Sequence, residues 1–281
     1  MSAVSPIQSR IPFDDYQSIP ALNISRLKEM KRSPLHYQHA LTNPKSTAAL
    51  TLGTAAHTAT LEPERFGRDF AIWSHRTESG RMSPRTGKRW DEFCIAHADK
   101  KIITEDECDA ALAIAHAVRN DPVARSYLEA GDPEVTMQWA FDGRACKGRV
   151  DWLTRLERDV LVGLKSARDC RPFLFGAAAA RLGYHLQWAW YFDGFITATG
   201  REPRVVEIVV ESAPPHAVVV YDIPNDILEQ GREEYLDLMR QLADCEDRNE
   251  WRGPAETELV LSLPSWVYGA DEDIGELELE E

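Results

Sequence analysis

The sequence predicts an α/β fold with a mixed central sheet flanked by helices. Three observations carry this expectation. Helical patterning dominates the first 130 or so residues, three strand-like runs then follow one another between Glu134 and Lys165, and helices alternate with two further strands as far as Cys245.

The first twenty residues carry Pro6, Pro12 and Pro20 among polar residues and read as an extended arm. Asn23 or Ser25 caps a short helix, Ser25 to Lys31, which Ser33-Pro34 ends. A second helical stretch, Pro34 to Leu41, stops near Asn43-Pro44. Thr47 to Leu61 is small and apolar and suits a tightly packed helix, with Gly53 permitting a close approach. Residues 62–90 look loop-like, and Asp91–Ala98 and Glu105–Asn120 helical. From Glu134 the pattern changes. Glu134–Phe141 leads through Asp142-Gly143, a type I′ hairpin signal, into Arg144–Leu153, and a turn at Arg155–Arg158 leads into Val160–Lys165. Helices follow at Pro172–Arg181 and Tyr184–Thr197. Strands at Val205–Glu211 and Ala217–Tyr221 flank Pro214-Pro215, and Pro224–Cys245 reads as a closing amphipathic helix.

These boundaries imply an N-terminal arm (1–20), one domain (21–270) and an acidic tail (271–281) expected to be disordered. Within the domain a helical part spans 21–130, the sheet core 131–222 and the closing helix 224–247. At 281 residues, 43% hydrophobic and 28% charged, the chain can bury a sizeable core, and disorder is excluded as its dominant state. The net charge of −14 argues against a uniformly DNA-binding surface. That charge is uneven. The last eleven residues hold seven carboxylates, leaving 39 acids against 32 bases in the body. Five dispersed cysteines without a CxxC pair read as reduced thiols in a cytoplasmic protein and give no zinc or iron–sulfur spacing. No uncharged run is long enough to cross a bilayer, so no membrane partner is expected.

Nucleotide-hydrolase, dinucleotide and serine-hydrolase motifs are absent. His36 and His39 lie one helical turn apart but lack a third ligand nearby, and read as helix-surface histidines. The strand trio is more informative. Alternation puts Gly163 and Lys165 on one face, next to Asp151 if their strands pair. A carboxylate and a lysine meeting there suit a hard divalent cation and an attacking water, although a plain strand-end ion pair has the same residues. His57 on the small-residue helix, Glu134 opening the first strand, and Gln187 with Tyr191 one turn apart add to the constellation.

Taken together the chain resembles the exonuclease VIII (RecE-type) branch of the PD-(D/E)xK nucleases. The resemblance runs from about Ser25 to Trp266. It rests on the order and spacing of SPLHY (33–37), LGTAAHTATLEPERF (52–66), RTGKRWDEF (85–93), CKGRVDWL (146–153), LVGLKSARD (161–169), YHLQWAWYFDG (184–194), VVESAPPHAVVVY (209–221) and LPSW (263–266). It implies a restriction-endonuclease-like core and a Mg²⁺-dependent exodeoxyribonuclease, with Mn²⁺ as a possible substitute. Such an enzyme degrades one strand of linear duplex DNA, 5′ to 3′, leaving a single-stranded overhang for recombination. It also implies a bacterial or phage-encoded protein, a homo-oligomeric ring, and a single-strand annealing protein as partner to its work on duplex ends. By the same resemblance His57 and Asp151 match metal ligands, Lys165 the catalytic lysine, and Glu134 an acidic position near the metal. Gln187 and Tyr191 match a Q-x-x-x-Y pair that shapes the site.

One position departs from that pattern. The family carries an acid two residues before the lysine, and here it is Gly163, which offers only backbone. The loss of a ligand and its charge should impair Mg²⁺ binding. It opens the alternative of an inactive DNA-end-binding or adapter protein that keeps the nuclease fold, for which Gly163→Asp is the natural repair. Asp169, Glu207 and Glu211 are candidate migrated carboxylates, and the sequence selects none of them. For DNA contact, His75–Arg89 brings five fixed positive charges (Arg76, Arg81, Arg85, Lys88, Arg89) against one acid, Glu78, in a glycine- and serine-bearing loop. Arg149 and Arg168 are secondary candidates.

Overall fold

The computed structural model describes residues 6–43, 48–155 and 157–263. In chain order the elements are β1 (Ile7–Gln8), α1 (Phe13–Ser18), α2 (Ile24–Leu27) running into a 3-10 turn (Lys28–Lys31), α3 (Pro34–Thr42), α4 (Ala48–Leu61), α5 (Pro63–Asp69), β2 (Phe70–Trp73), α6 (Lys88–Ala96), β3 (Lys101–Thr104), α7 (Glu105–Asn120) and α8 (Pro122–Leu128). They continue with β4 (Gly131–Phe141), β5 (Arg144–Arg155), β6 (Asp159–Ala167), α9 (Pro172–Leu182), α10 (Tyr184–Thr199), β7 (Arg204–Glu211), β8 (Val218–Asp222) and α11 (Asn225–Arg248).

The expected mixed α/β architecture is present. Six strands form the main sheet in the order β1-β4-β5-β6-β7-β8, with β6 and β7 parallel and the other neighbours antiparallel. Asp142 and Gly143 both take positive φ (48° and 77°), as a type I′ turn between β4 and β5 requires. The parallel pair needs a crossover, which α9 and α10 supply. Alternation sorts the side chains of β6. Val160, Val162 and Leu164 pack with Ala55 and Ala56 of α4 and Ile114 and Val118 of α7. Leu161 faces the other way, into a cluster with Phe175 of α9 and Trp188, Phe192 and Phe195 of α10. A third layer sets Leu186, Ala189 and Trp190 of α10 against Ile24 and Leu27 of α2 and Leu238 and Leu242 of α11.

Several expectations need correction. Within the expected extended arm, the described residues 6–20 include a helix, α1, and are tied to the sheet. β1 pairs with β4, and the end of α1 is gripped by Lys147 of β5, fully buried, whose ammonium donates to the carbonyls of Tyr16 (2.7 Å), Gln17 (3.1 Å) and Ile19 (2.8 Å). A buried cation satisfying a helix's last carbonyls is a tertiary interaction that no local pattern announces. Residues 62–90 are not a continuous loop. Pro63 starts α5, and β2 pairs in parallel with β3 as a separate small sheet. Nothing lies within 4 Å of a Cβ placed at Gly53, so no close approach explains that glycine. Thr47 and the acidic tail (271–281) lie outside the described residues. Among the described residues, no helix is long and apolar enough to cross a membrane.

Lys147 gives a pH-dependent test. Burial, with the Arg26 charge second, lowers its ammonium to about 8. The unfolded chain keeps this proton up to near 10.5, the ordinary lysine value. Between those pH values the unfolded state therefore binds more protons, and this group makes stability rise with pH. Urea unfolding of wild type and Lys147→Met across pH 7.5 to 10.5 should show a smaller rise in the variant, which keeps only the like contribution of Lys28, also lowered to about 8 by burial. At neutral pH the variant, in which the Gln17 carbonyl loses its partner and those of Tyr16 and Ile19 keep only a backbone amide each, should lose roughly 1–3 kcal/mol.

Candidate metal and nuclease site

The site forms where two strands part. β5 and β6 pair from Arg155↔Asp159 to Trp152↔Val162, and there the ladder stops. One residue further along β5, Asp151 turns its carboxylate into the gap, and its Oδ2 accepts the Leu164 amide at 2.8 Å. This satisfies a backbone donor the ladder leaves open and fixes the carboxylate in place. On β4 the pairs Pro133↔Trp152 and Val135↔Val150 leave Glu134 opposite Asp151, and Glu134 has φ +53°. A left-handed glutamate inside a strand is an uncommon backbone state that turns its side chain away from regular alternation.

His57 arrives from α4, whose last carbonyls are held by Arg119 of α7 (Ala59 O, 2.7 Å; Thr60 O, 2.9 Å). Its Nδ1 is 3.8 Å from Asp151 Oδ1. His57, Glu134 and Asp151 each offer one ligand atom, and these atoms lie within 4.8 Å of one another. One imidazole and two carboxylates fit a divalent cation with water completing its shell, Mg²⁺ or Mn²⁺ by donor hardness.

Lys165 stands on the other side of Asp151, with Nζ 3.6 Å from Asp151 Oδ2 and 3.5 Å from Glu207 Oε1. Burial would lower the Lys165 ammonium, but Glu207 and Asp151 outweigh it and hold the group well above the usual lysine range. Burial likewise opposes ionisation of Asp151. Lys165, His57 and the Leu164 amide together overcome it and keep the carboxyl below its ordinary value. Glu134 is pushed up by burial and by Asp151, against the pull of Arg149 and His57. Burial also raises Glu207, against the pull of Lys165 and of Trp188, whose indole N–H donates to its carboxylate.

Gln187 and Tyr191 share a face of α10, and Gln187 Nε2 donates to Tyr191 Oη at 3.2 Å. The Tyr191 ring lies against Gly148, where an added Cβ would come within 2.9 Å of it. Burial holds the Tyr191 hydroxyl above its usual pKa. Gly163 carries no side chain into the site, and the space beside it is filled by the Glu207 carboxylate.

The structure sorts the basic candidates. Arg76 pairs with Glu105, Arg85 with Glu107 (2.8 Å) and Lys88 with Glu92 (3.8 Å). Arg81 and Arg89 are exposed, with no acid partner among the described residues. Arg149 is turned inward, its side chain only 9% exposed, bound to Glu134 and to the Ile11 carbonyl (2.9 Å) and stacked near Phe13 and Tyr16. Its charge balances Glu134 instead of facing solvent. Arg168 lies just past the end of β6, exposed. His36 hydrogen-bonds Ser33 Oγ through Nδ1 (2.6 Å), and neither it nor His39 joins a group of metal-binding side chains among the described residues.

Three residues escape the sequence reading. Tyr184 lies with its ring centroid 5.5 Å from Lys165 Nζ and 5.7 Å from Lys28 Nζ. Lys28 is lowered to about 8 by burial and then by the Lys165 charge. Trp188 anchors Glu207. A tyrosine, a lysine and a tryptophan in helices carry no spacing signal, and only the tertiary fold gathers them. Glu207 does carry one, as a lone charge inside the apolar run VVEIVV.

A carboxylate at a strand fork, a lysine on the neighbouring strand and a histidine from a packed helix thus meet at one place on the sheet. Residues 23–260 match the family described as PDDEXK-like domain of unknown function (DUF3799), and the chain belongs to that family. The crystal structure of a "Putative exonuclease" from Eubacterium rectale superposes with a TM-score of 0.62 at 12% identity, covering 92% of this chain and 96% of that one, a likeness of fold. SSO0001 (12% identity, 76% of this chain and 84% of that one, TM-score 0.28) and VC1899 from Vibrio cholerae (12%, 84% and 62%, TM-score 0.20) align too loosely to bear on the fold. No curated protein matches the chain.

Occupancy of the site is measurable without catalysis. Mn²⁺ or Ca²⁺ at a hundred times its Kd should stabilise the protein by about 2.7 kcal/mol. A thermal-shift titration should show this in wild type and lose it in Asp151→Asn. An equal shift in the variant would place the cation elsewhere.

Proposed function

We infer that this chain is a Mg²⁺-dependent exodeoxyribonuclease of the exonuclease VIII type, with Mn²⁺ able to substitute. In this reading it degrades one strand of linear duplex DNA 5′ to 3′ and leaves an overhang for recombination. The observation that carries the reading is Asp151, an ionised carboxylate held between His57 and the Lys165 ammonium at the fork of β5 and β6. A protonated lysine beside a carboxylate able to hold a cation is a pair that can serve phosphodiester hydrolysis.

His57, Glu134 and Asp151 would hold the cation. When bound, it polarises the scissile phosphate and lowers the pKa of a water. Asp151 orients that arrangement through its fixed carboxylate. Lys165, kept protonated by its two acids, donates to a phosphate oxygen and stabilises the charge that develops there. Gln187 and Tyr191 line the side of the site formed by α10 and orient the strand. Arg81 and Arg89 meet phosphates without reading bases, which suits an enzyme indifferent to sequence. A ring of subunits around duplex DNA, and a single-strand annealing protein receiving the overhang, belong to the same proposal.

A second reading has one specific support, the absent carboxylate at 163: an end-binding protein that does not turn over. One assay separates the two. With Mg²⁺ the purified protein should digest linear duplex and spare covalently closed circles, and strands labelled at either end report the polarity. Lys165→Ala should slow digestion by about 10²–10³-fold. Binding to ends with no digestion under Mg²⁺ or Mn²⁺ would establish the second reading. Separately, the double variant Arg81→Ala, Arg89→Ala should weaken duplex binding equally for all sequences. It should flatten the plot of log affinity against log salt by about two units. An unchanged slope would remove the loop from the DNA path.

A further inference from the structure

The acid absent at 163 has a counterpart on the neighbouring strand. β6 and β7 run parallel with Gly163 in register with Glu207. Along β7, Val206, Ile208 and Val210 pack toward α4 and α7, and Val205 and Val209 toward α9 and α10. Glu207 lies between the latter two by alternation, on the α10 side, and is 1% exposed. A Cβ built on Gly163 would come 2.5 Å from each Glu207 carboxylate oxygen and 2.7 Å from the carboxyl carbon. An aspartate's own carboxylate oxygens stand about that far from its Cβ. The Glu207 carboxylate thus takes space that a residue-163 side chain would need, and the two exclude each other.

Its bonding is also incomplete. One oxygen accepts from the Trp188 indole, while Oε1 has no hydrogen-bond partner and faces Lys165 at 3.5 Å. A half-satisfied carboxylate among valines is unfavourable for packing alone.

We propose that Glu207 does the work of the acid missing at 163: its carboxylate, entering from β7, supplies the negative charge that lets the Lys165 ammonium and a divalent cation flank Asp151. This rests on the nuclease reading of the site. Without Glu207, the charges of Glu134 and Asp151 are cancelled by Arg149 and Lys165; with it these five groups carry one net negative charge for a cation. Glu207 lies outside the group His57, Glu134 and Asp151 that can hold the cation, so it acts through Lys165 as a positioning residue. Gly163 follows from Glu207: the glycine is the clearance that the transposed acid requires.

The test is an exchange of the acid between strands. Mn²⁺ affinity by calorimetry and duplex digestion are measured on wild type, Glu207→Gln, Glu207→Ala, Gly163→Asp and the double variant Gly163→Asp, Glu207→Ala, with circular dichroism melts to verify folding. Glu207→Gln keeps the size of the side chain and an acceptor for Trp188. It should weaken Mn²⁺ binding and turnover by about 10–100-fold. Glu207→Ala should do the same. Gly163→Asp alone should lose activity, because two carboxylates contend for one space. The double variant should return both measurements to within about tenfold of wild type. Wild-type Mn²⁺ affinity in Glu207→Gln, a gain of activity in Gly163→Asp alone, or a double variant no better than Glu207→Ala would overturn the transposition. Wild type that neither binds Mn²⁺ nor cleaves DNA would overturn the nuclease reading itself.

Discussion

Asp151 is the constraint around which the site is arranged. A carboxylate at the point where two strands separate must satisfy backbone that the ladder leaves open, and Asp151 does so by accepting the Leu164 amide. That bond fixes its second oxygen toward His57 and places Lys165 alongside. The fork therefore unites a structural duty with a chemical one. The same hydrogen bond that ends the β5–β6 pairing in an orderly way also orients an oxygen of the candidate metal site. Burial raises what is at stake, since a charge in this setting persists only with its partners in place.

The layers on either side of the sheet explain how the partners arrive. α4 packs its alanines against the valines of β6 and delivers His57 from one face. α10 lies on the opposite face and contributes Trp188, Gln187 and Tyr191 within two turns. Because β5 and β6 separate at Asp151, groups from both faces can reach one carboxylate. An intact sheet would have kept them apart.

Much of this was legible in the sequence. The strand trio, the Asp142-Gly143 turn, and the helices α7 and α9 to α11 follow from patterns of period two and 3.6 and from turn chemistry, and appear within a few residues of expectation. The juxtaposition of Asp151 and Lys165 follows from the hairpin alone. What escaped detection depends on distant parts of the chain. α1 has few local signals and is held by Lys147, some 130 residues away, and the short strands β2 and β3 pair with each other and pack through Phe70 and Ile103 against α7. Arg149 looked like a DNA contact because it is basic and near the site, yet burial against Phe13 and Tyr16 and its bond to Glu134 turn it inward. Glu207 was visible as an oddity in an apolar strand, but only the parallel register with Gly163 gives it a meaning.

The N-terminal residues acquire significance from the same wiring. Arg149 bridges the Ile11 carbonyl and Glu134, and Lys147, two positions earlier on β5, clamps the end of α1. Ile11 is thus one guanidinium away from a carboxylate of the candidate cation site. Phe13 and Tyr16, whose rings flank the Arg149 guanidinium, complete the link between this segment and the counter-charge on Glu134. Residues 11–19 are in that sense wired into the candidate cation site, by one guanidinium at one end and one buried ammonium at the other.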